Sequence, residues 1–258
     1  MTETEHILPG GNSSLVSRRG NTIRRQAGPW SRQVQWLLRH MRCQGIIEAP
    51  EPLGFDEQGR EVLSYLPGEV GHYPLLQAMR TDDVLVTAAQ LLRRIHDASA
   101  GIAPVRLTGW QAPTRLPVEV VCHGDFAPYN CVFEDGKLAG VIDFDHAHPG
   151  PRLWDLAYAL YRFAPLTATS NPEGFGEPGE QIRRAQLFCA AYGLEDWSQV
   201  VTYVIARVQF MAERLLEGAR LGDARMLANI AAGHLAIYQA DAAYLSEQRS
   251  LYEQAFSA

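Results

Sequence analysis

The stretch VCHGDFAPYNCVF (121–133) decides the fold, because it interrupts an apolar run with His123, Asp125 and, five residues after the aspartate, Asn130. A Gly-Asp pair on its own is an ordinary turn former. An aspartate and an asparagine held at a fixed spacing between two strand-like runs, however, are also typical of a site. The segment therefore predicts a loop between strands that carries polar side chains, and its function depends on the residues beyond Asn130.

A β-hairpin comes directly after this loop. The runs CVF and LAGVIDF read as two strands joined by EDGK, in which Asp-Gly favours a tight hairpin turn. A hairpin returns the chain to where it began, so Asp143, at the end of the second strand, is expected beside Asp125 and Asn130.

Two carboxylates and one amide oxygen make an oxygen-only site, which favours Mg²⁺ over zinc. Magnesium held by one or two protein carboxylates completes its shell with water and phosphate oxygens. Asn130 and Asp143 would hold the ion and leave Asp125 free to accept a proton. Phosphoryl transfer needs this division between charge neutralisation and orientation of the attacking hydroxyl.

HGDFAPYN followed by VIDFD resembles the signature of the aminoglycoside phosphotransferase and choline kinase-like superfamily, which has the protein-kinase-like fold. The resemblance implies that Asp125 is the catalytic residue and that Asn130 and Asp143 bind Mg²⁺. It also implies two supporting residues: His123, which packs beneath the metal-binding strand, and Asp155 of a later D-L-A element, which steadies the catalytic loop. The co-substrate would be ATP or GTP.

The fold class expected from this resemblance is α+β and bilobal. Residues 1–66 would form a small β-rich nucleotide-binding lobe, and residues 67–258 a larger, mostly helical lobe with the catalytic loop and the substrate site. The boundary falls at the breaker pair Pro67-Gly68. Helical patterns cover 31–45, 82–97, 153–163, 180–192, 198–218 and 222–247. The Gly- and Pro-rich segment 167–180 is expected to be an exposed, mobile loop.

Nucleotide contacts are expected at two places in the first lobe. EVLSYLPG (61–68) resembles the strand that joins the lobes, with the carbonyl of Ser64 and the N–H of Leu66 facing the base. The turn PGGNSS offers Gly10 and Gly11, whose backbone N–H groups can approach a phosphate. The same two glycines also fit a plain hairpin turn.

The cation that holds the nucleotide phosphates departs from the kinase pattern. Kinases use a lysine on the third strand paired with a glutamate on the next helix, but Lys137 is the single lysine of this chain and 31–45 contains no acidic residue. Strand alternation in NTIRR places Arg24 opposite the core-facing Ile23 and makes Arg24 the candidate phosphate contact. Arginine can bind phosphate as a fork without a positioning carboxylate. The alternative is that nucleotide binding has been lost.

Composition limits the class of partner. The formal net charge of −6 and the pI near 5.8 argue against nucleic acid. No apolar run predicts a membrane helix, and the acidic start of the chain does not resemble an export signal. The four cysteines show no metal-binding spacing. We therefore expect a cytoplasmic protein with reduced thiols; the oligomeric state is not predicted.

The expected acceptor is a hydroxyl of a small molecule, most familiarly an aminoglycoside antibiotic. Phosphorylation of such an antibiotic would confer resistance to it. The part of the chain beyond Leu66 is acidic, which would favour a cationic substrate. Asp145 is a candidate contact to the substrate or to a second ion, or equally a solvated carboxylate. Choline and homoserine are alternative acceptors within the family. A different class of function also stays open: an inactive kinase-like or immunity protein that acts through a partner.

Overall fold

The structure, a computed structural model, describes residues 4–8 and 16–256. The strands are β1 Glu5–Ile7, β2 Val16–Arg19, β3 Thr22–Arg25, β4 Pro52–Phe55, β5 Glu61–Ser64, β6 Glu69–Val70, β7 Val120–Cys122, β8 Cys131–Glu134, β9 Lys137–Val141 and β10 His148–Gly150. The helices are α1 Ser31–Cys43, α2 Asp82–Ala100, α3 Arg152–Phe163, α4 Pro178–Tyr192, α5 Val200–Arg220, α6 Ala224–Ala231, α7 His234–Glu247 and α8 Arg249–Phe256.

The chain forms two compact units. The first comprises the described residues up to Val70 together with Arg94–Asp125 and Asn130–Pro151, and the second comprises Gly71–Arg93, Phe126–Tyr129 and the chain from Arg152 onward. The predicted division into lobes at residues 66 and 67 stays a prediction.

Unit 1 is built on a five-stranded sheet with the order β1-β2-β3-β5-β4. Neighbouring strands are antiparallel, and the register of β3 against β5 places Arg25 opposite Glu61 and Arg24 opposite Val62. Helix α1 buries one face through Val34, Leu37, Leu38 and Met41. That apolar stripe follows the helical period, so its burial explains why the segment folds as a helix although it lacks a side-chain cap.

The predicted hairpin is confirmed within unit 1. Strand β8 pairs antiparallel with β9, and β6 pairs with the other edge of β8. The two turn residues Asp135 and Gly136 both have positive φ, at 50° and 74°. This backbone is the one that Asp-Gly adopts most readily between twisted strands, so the local sequence fixes the turn.

Unit 2 is helical, with α5 packed against α3 and α7. Every residue from Trp154 to Phe163 on α3 is buried, which means that the helix lies in the centre of the unit. The aromatic side chains of this helix are therefore core residues.

Two predictions about unit 2 were wrong. The segment 222–247 is not one helix, because Gly233 has a φ of 90° and separates α6 from α7. The loop 167–180 is not exposed throughout: Thr169, Ser170 and Pro172 are exposed, but Thr167 and Asn171 are only 2% and 6% exposed. The buried carboxylate of Asp241 accepts hydrogen bonds from the backbone N–H of Ala168 at 2.8 Å and from Asn171 at 2.6 Å. These bonds tie the loop to α7.

None of the helices within the described residues combines the length and the apolar character that crossing a bilayer requires.

Candidate active site

The loop after β7 contains Gly124, which no other residue could replace without movement of the neighbouring backbone. Gly124 has a φ of 80°, and a Cβ built on it would lie 2.2 Å from the carbonyl oxygen of His146. The glycine therefore permits both the left-handed turn and the close approach of the segment after β9. This approach brings the two sequence motifs of unit 1 together.

His123 connects the loop after β7 to the segment after β9. Its Nε2 donates to the carbonyl oxygen of Ile142 at 3.0 Å, and its Nδ1 accepts from the backbone N–H of Asp125 at 3.3 Å. The ring also packs on Phe144, with centroids 4.5 Å apart. Both ring nitrogens therefore bond to the backbone, one to each of the two loops.

Asn130 holds Asp125 in place. The Nδ2 of Asn130 donates to the backbone oxygen and to the Oδ2 of Asp125, both at 2.9 Å. The backbone oxygen of Asn130 accepts from the N–H of Ile142 at 2.8 Å. Since the amide nitrogen faces Asp125, the amide oxygen is the atom left to face a cation, and the residue after Ile142 is Asp143.

Asp143 has an unusual backbone. Its φ of 63° and ψ of 66° are left-handed, a region that aspartate tolerates better than most residues. Left-handed residues other than glycine are frequent at functional sites, where surrounding structure enforces them. The side chain is 38% exposed, so the carboxylate at the end of β9 is accessible to a ligand.

One guanidinium joins three carboxylates in this unit. The Nε of Arg25 lies 2.8 Å from Glu61, Nη1 lies 3.2 Å from Asp143 and Nη2 lies 2.5 Å from Asp145. Burial opposes the charge of Arg25, but attraction by Asp145, Glu61 and Asp143 outweighs it and raises the pKa of Arg25. The pKa of Asp145 is also raised, because its burial outweighs the attraction of Arg25. The cluster therefore places three carboxylates around one guanidinium.

Arg24, the phosphate contact that strand alternation predicts, does not point to this cluster. Its Nη1 donates to the Thr22 hydroxyl at 2.6 Å, and its Nε lies 3.8 Å from Asp56. The prediction took the face of Ile23 to be purely apolar, whereas Arg25 shares that face and its side chain is only 12% exposed. Arg24 as a phosphate ligand stays a prediction. The structure instead brings Arg25 to the carboxylates.

The predicted base contacts lie at the end of β5. Ser64 is the last residue of this strand; its N–H donates to the carbonyl oxygen of Glu51 at 2.9 Å, and its hydroxyl accepts from the Glu51 N–H at 2.8 Å. Leu66 follows two residues later and packs beside Gly140, where a Cβ would lie 2.6 Å from the carbonyl oxygen of Glu48 and 2.9 Å from the Cδ1 of Leu66. The predicted phosphate contacts Gly10 and Gly11 lie outside the described residues.

The sequence also predicts two further carboxylates, Asp155 and Asp145, as site residues. Asp155 is fully buried in the first turn of α3 in unit 2, a position that the helix dipole favours for an acid. Asp145, the candidate substrate contact, is engaged by Arg25.

The donor set fits magnesium better than a transition metal. Among the residues that the structure describes, no three His, Cys, Asp or Glu side chains group into a metal site. His148 Nδ1 lies 2.8 Å from the carbonyl oxygen of His146, which is a loop contact. Asn130 and Asp143 supply an amide and a carboxylate, the small oxygen set that Mg²⁺ completes with water and phosphate.

Known proteins resemble this chain in sequence and in fold. Residues 103–200 match the family model described as phosphotransferase enzyme family. The trifolitoxin immunity protein of Rhizobium leguminosarum bv. trifolii is 34% identical over 198 residues, with 74% of each chain covered.

Two solved structures show the same fold at low identity. A choline/ethanolamine kinase family protein from Mesorhizobium loti gives a TM-score of 0.63 at 19% identity, covering 98% of this chain and 92% of the other. The GDP complex of aminoglycoside 2'-phosphotransferase-IIIa gives 0.62 at 15% identity, covering 95% and 94%. These likenesses confirm the α+β, protein-kinase-like fold class. The family match and the relative that is 34% identical over 74% of each chain show that the chain belongs to the phosphotransferase enzyme family.

Proposed function

We propose that the protein is an O-phosphotransferase that moves the γ-phosphoryl group of ATP or GTP onto a hydroxyl of a small molecule. The observation that carries this proposal is the bond from Asn130 to the carboxylate of Asp125. This bond lies in the loop directly before the β8–β9 hairpin, and Asp143 follows two residues after that hairpin. A carboxylate fixed by one amide and accompanied by a second, exposed carboxylate suits a base and a metal ligand.

Each residue of the site would have a separate task. Asp125 would orient the acceptor hydroxyl and take its proton, and His123 would hold the loop that carries Asp125. Asn130 and Asp143 would hold Mg²⁺, which when bound neutralises charge on the nucleotide phosphates. The backbone at Ser64 and Leu66 would receive the base. The grouping of three carboxylates around Arg25 supports the choice of a divalent cation.

The acceptor is the least constrained part of the proposal. An aminoglycoside-like molecule is the leading class, since related folds include aminoglycoside phosphotransferases; choline, ethanolamine or homoserine are alternatives. The acids of the loop in unit 2 give little support to a highly cationic acceptor. Glu173 pairs with Arg162 at 2.7 Å and Glu180 with Arg183 at 2.8 Å, so two of these acids are already neutralised.

A second candidate function rests on the 34% identical relative, which carries the name of an immunity protein. This chain would then protect a cell from a toxic compound, either by phosphorylating it or by binding it without chemistry. The absence of the usual strand lysine keeps the second form open.

Nucleotide-dependent thermal unfolding tests the proposal first. ATP or GTP with Mg²⁺ at 100 times its dissociation constant should stabilise the protein by about 2.7 kcal/mol, a rise in Tm of roughly 5–10 °C. The rise should need magnesium and disappear in Asp143→Asn. If neither nucleotide raises Tm, the proposal fails and the binding form of the immunity function becomes the better account.

Product formation then separates enzyme from binding protein. Release of ADP or GDP would be followed with a panel of hydroxyl compounds that starts with aminoglycosides. Asp125→Asn should retain the nucleotide-dependent rise in Tm and lose roughly 10²–10⁴ of the rate. A variant as active as the wild type would remove Asp125 from the mechanism.

A further inference from the structure

The ion pair that kinases build between a strand and a helix has a counterpart here between two strands. Arg25 of β3 and Glu61 of β5 are direct cross-strand neighbours in the sheet. The Nε of Arg25 donates to Oε2 of Glu61 at 2.8 Å, and the Glu61 side chain is fully buried. A buried carboxylate is costly unless it is paired and hydrogen-bonded, so this contact holds both partners in one arrangement.

Helix α1 secures the same carboxylate with an amide. Gln35, 1% exposed, donates from Nε2 to Oε1 of Glu61 at 3.0 Å and to the carbonyl oxygen of Val62 at 3.3 Å. Its Oε1 accepts from the N–H of Gly54 at 3.0 Å. Both oxygens of Glu61 therefore have fixed partners, one on β3 and one on α1. The helix that lacks acids contributes through an amide instead.

The planar guanidinium of Arg25 divides its hydrogen-bond donors between two groups of partners. Glu61 takes the Nε, which leaves Nη1 and Nη2 as a planar fork that reaches Asp143 and Asp145. A lysine has one charged nitrogen and could not bind an anchoring carboxylate through one atom while presenting two others in a fixed plane. The fork matches the spacing of phosphate oxygens.

We propose that Glu61 is the positioning residue that fixes Arg25 as the phosphate-binding cation of this protein, with Gln35 holding Glu61 from α1. The inference rests on the proposed function, because it places the nucleotide phosphates beside Asp143. The cation and the carboxylate that kinases take from a strand lysine and a helix glutamate would here be Arg25 and Glu61. Arg24 is then not required for phosphate binding.

A double-mutant cycle on nucleotide affinity tests this role. The dissociation constants of Mg²⁺-ATP (or Mg²⁺-GTP, if that nucleotide binds better) and of the free nucleoside are measured by calorimetry for the wild type, Glu61→Gln, Arg25→Gln and the double variant. Loss of a charged hydrogen bond should weaken binding of the triphosphate by roughly tenfold or more. Glu61→Gln should weaken the triphosphate and leave the nucleoside within about twofold, since the nucleoside has no phosphate.

The cycle distinguishes positioning from simple structural support. If Glu61 acts through Arg25, then Glu61→Gln should cause little further loss of affinity once Arg25→Gln is present. Arg25→Lys should recover only part of the affinity that Arg25→Gln loses. The matched control is Glu217→Gln, which removes the carboxylate 2.7 Å from Arg220 on the exposed surface of α5.

Each outcome has a distinct meaning. If the wild-type protein binds the triphosphate and Glu61→Gln binds it with the same affinity, this inference is overturned and the proposed function stands. Equal losses for triphosphate and nucleoside, or fully additive losses in the cycle, also overturn it, because they show general damage to the site. A wild type that binds no nucleotide overturns both proposals. Should Glu61→Gln fail to fold, Gln35→Leu tests the same chain of contacts and should show the same selective loss of triphosphate affinity.

Discussion

Replacing Gly124 by alanine should be among the most damaging single-methyl changes in unit 1. The new Cβ would lie 2.2 Å from the His146 carbonyl oxygen, so the two loops would have to separate by about 1 Å to restore ordinary contact. The left-handed backbone itself costs an alanine about 1–2 kcal/mol. Separation also strains the bonds that His123 makes to both loops, each contributing about 1–3 kcal/mol if left unmade. From these contributions we expect a total loss of about 4 kcal/mol.

Gly45→Ala is the matched control for this prediction. Gly45 has a φ of 82°, nearly that of Gly124, but nothing lies within 4 Å of the position of its Cβ. It should lose only the backbone contribution of about 1–2 kcal/mol. At roughly 2–4 °C per kcal/mol for a chain of this size, the expected falls in Tm are roughly 2–8 °C for the control and roughly 8–16 °C for Gly124→Ala.

Thermal and urea unfolding of both variants would measure the difference. Gly124→Ala should also lose the magnesium-nucleotide rise in Tm, whereas Gly45→Ala should keep it. If the two variants lose the same stability to within about 1 kcal/mol, the close approach of the loop after β7 to the segment after β9 is refuted as the reason for a glycine at 124.

Two other predictions concern unit 2 and the thiols. Burial raises the pKa of Asp241; since the folded state then binds the proton more tightly than the unfolded state, stability should fall as pH rises from about 4 through the raised pKa. Asp241→Asn should make the urea-unfolding free energy less dependent on pH over that range, and an unchanged slope would contradict the assignment. Of the four cysteines, Cys43 is exposed, and burial raises the pKa of Cys131 and brings that of Cys189 to about 12. Iodoacetamide followed by mass spectrometry should therefore label Cys43 alone in the folded protein, and rapid labelling of a second cysteine would show that a buried thiol is accessible.

The local parts of the site could be predicted because they depend on residues close together in the chain. The loop from His123 to Asn130, the Asp-Gly turn and the position of Asp143 at a strand end all follow from spacing and turn chemistry within about 20 residues. The same holds for most helix boundaries, but not for the break at Gly233. There the pattern of apolar residues continues across the glycine, and only the backbone shows its positive φ.

The loop 167–180 departs from its prediction for a different reason. Its composition is that of an exposed segment, but a single buried carboxylate, Asp241, satisfies the polar groups of Ala168 and Asn171. That partner lies 70 residues beyond Asn171 in the chain, where no local pattern in the loop can reveal it.

The sequence by itself determined the fold class, the family and the polar residues of the candidate site. The tertiary structure decided which arginine faces them. Strand alternation distinguishes the two faces of β3 but not which face carries the polar cluster, since that depends on the register of β3 against β5 and on contacts 36 and 118 residues apart in the chain. Glu61 is buried opposite Arg25 and needs a cation beside its carboxylate. This pairing holds the Arg25 side chain where it reaches Asp143, and the need for it exists only once the sheet has formed.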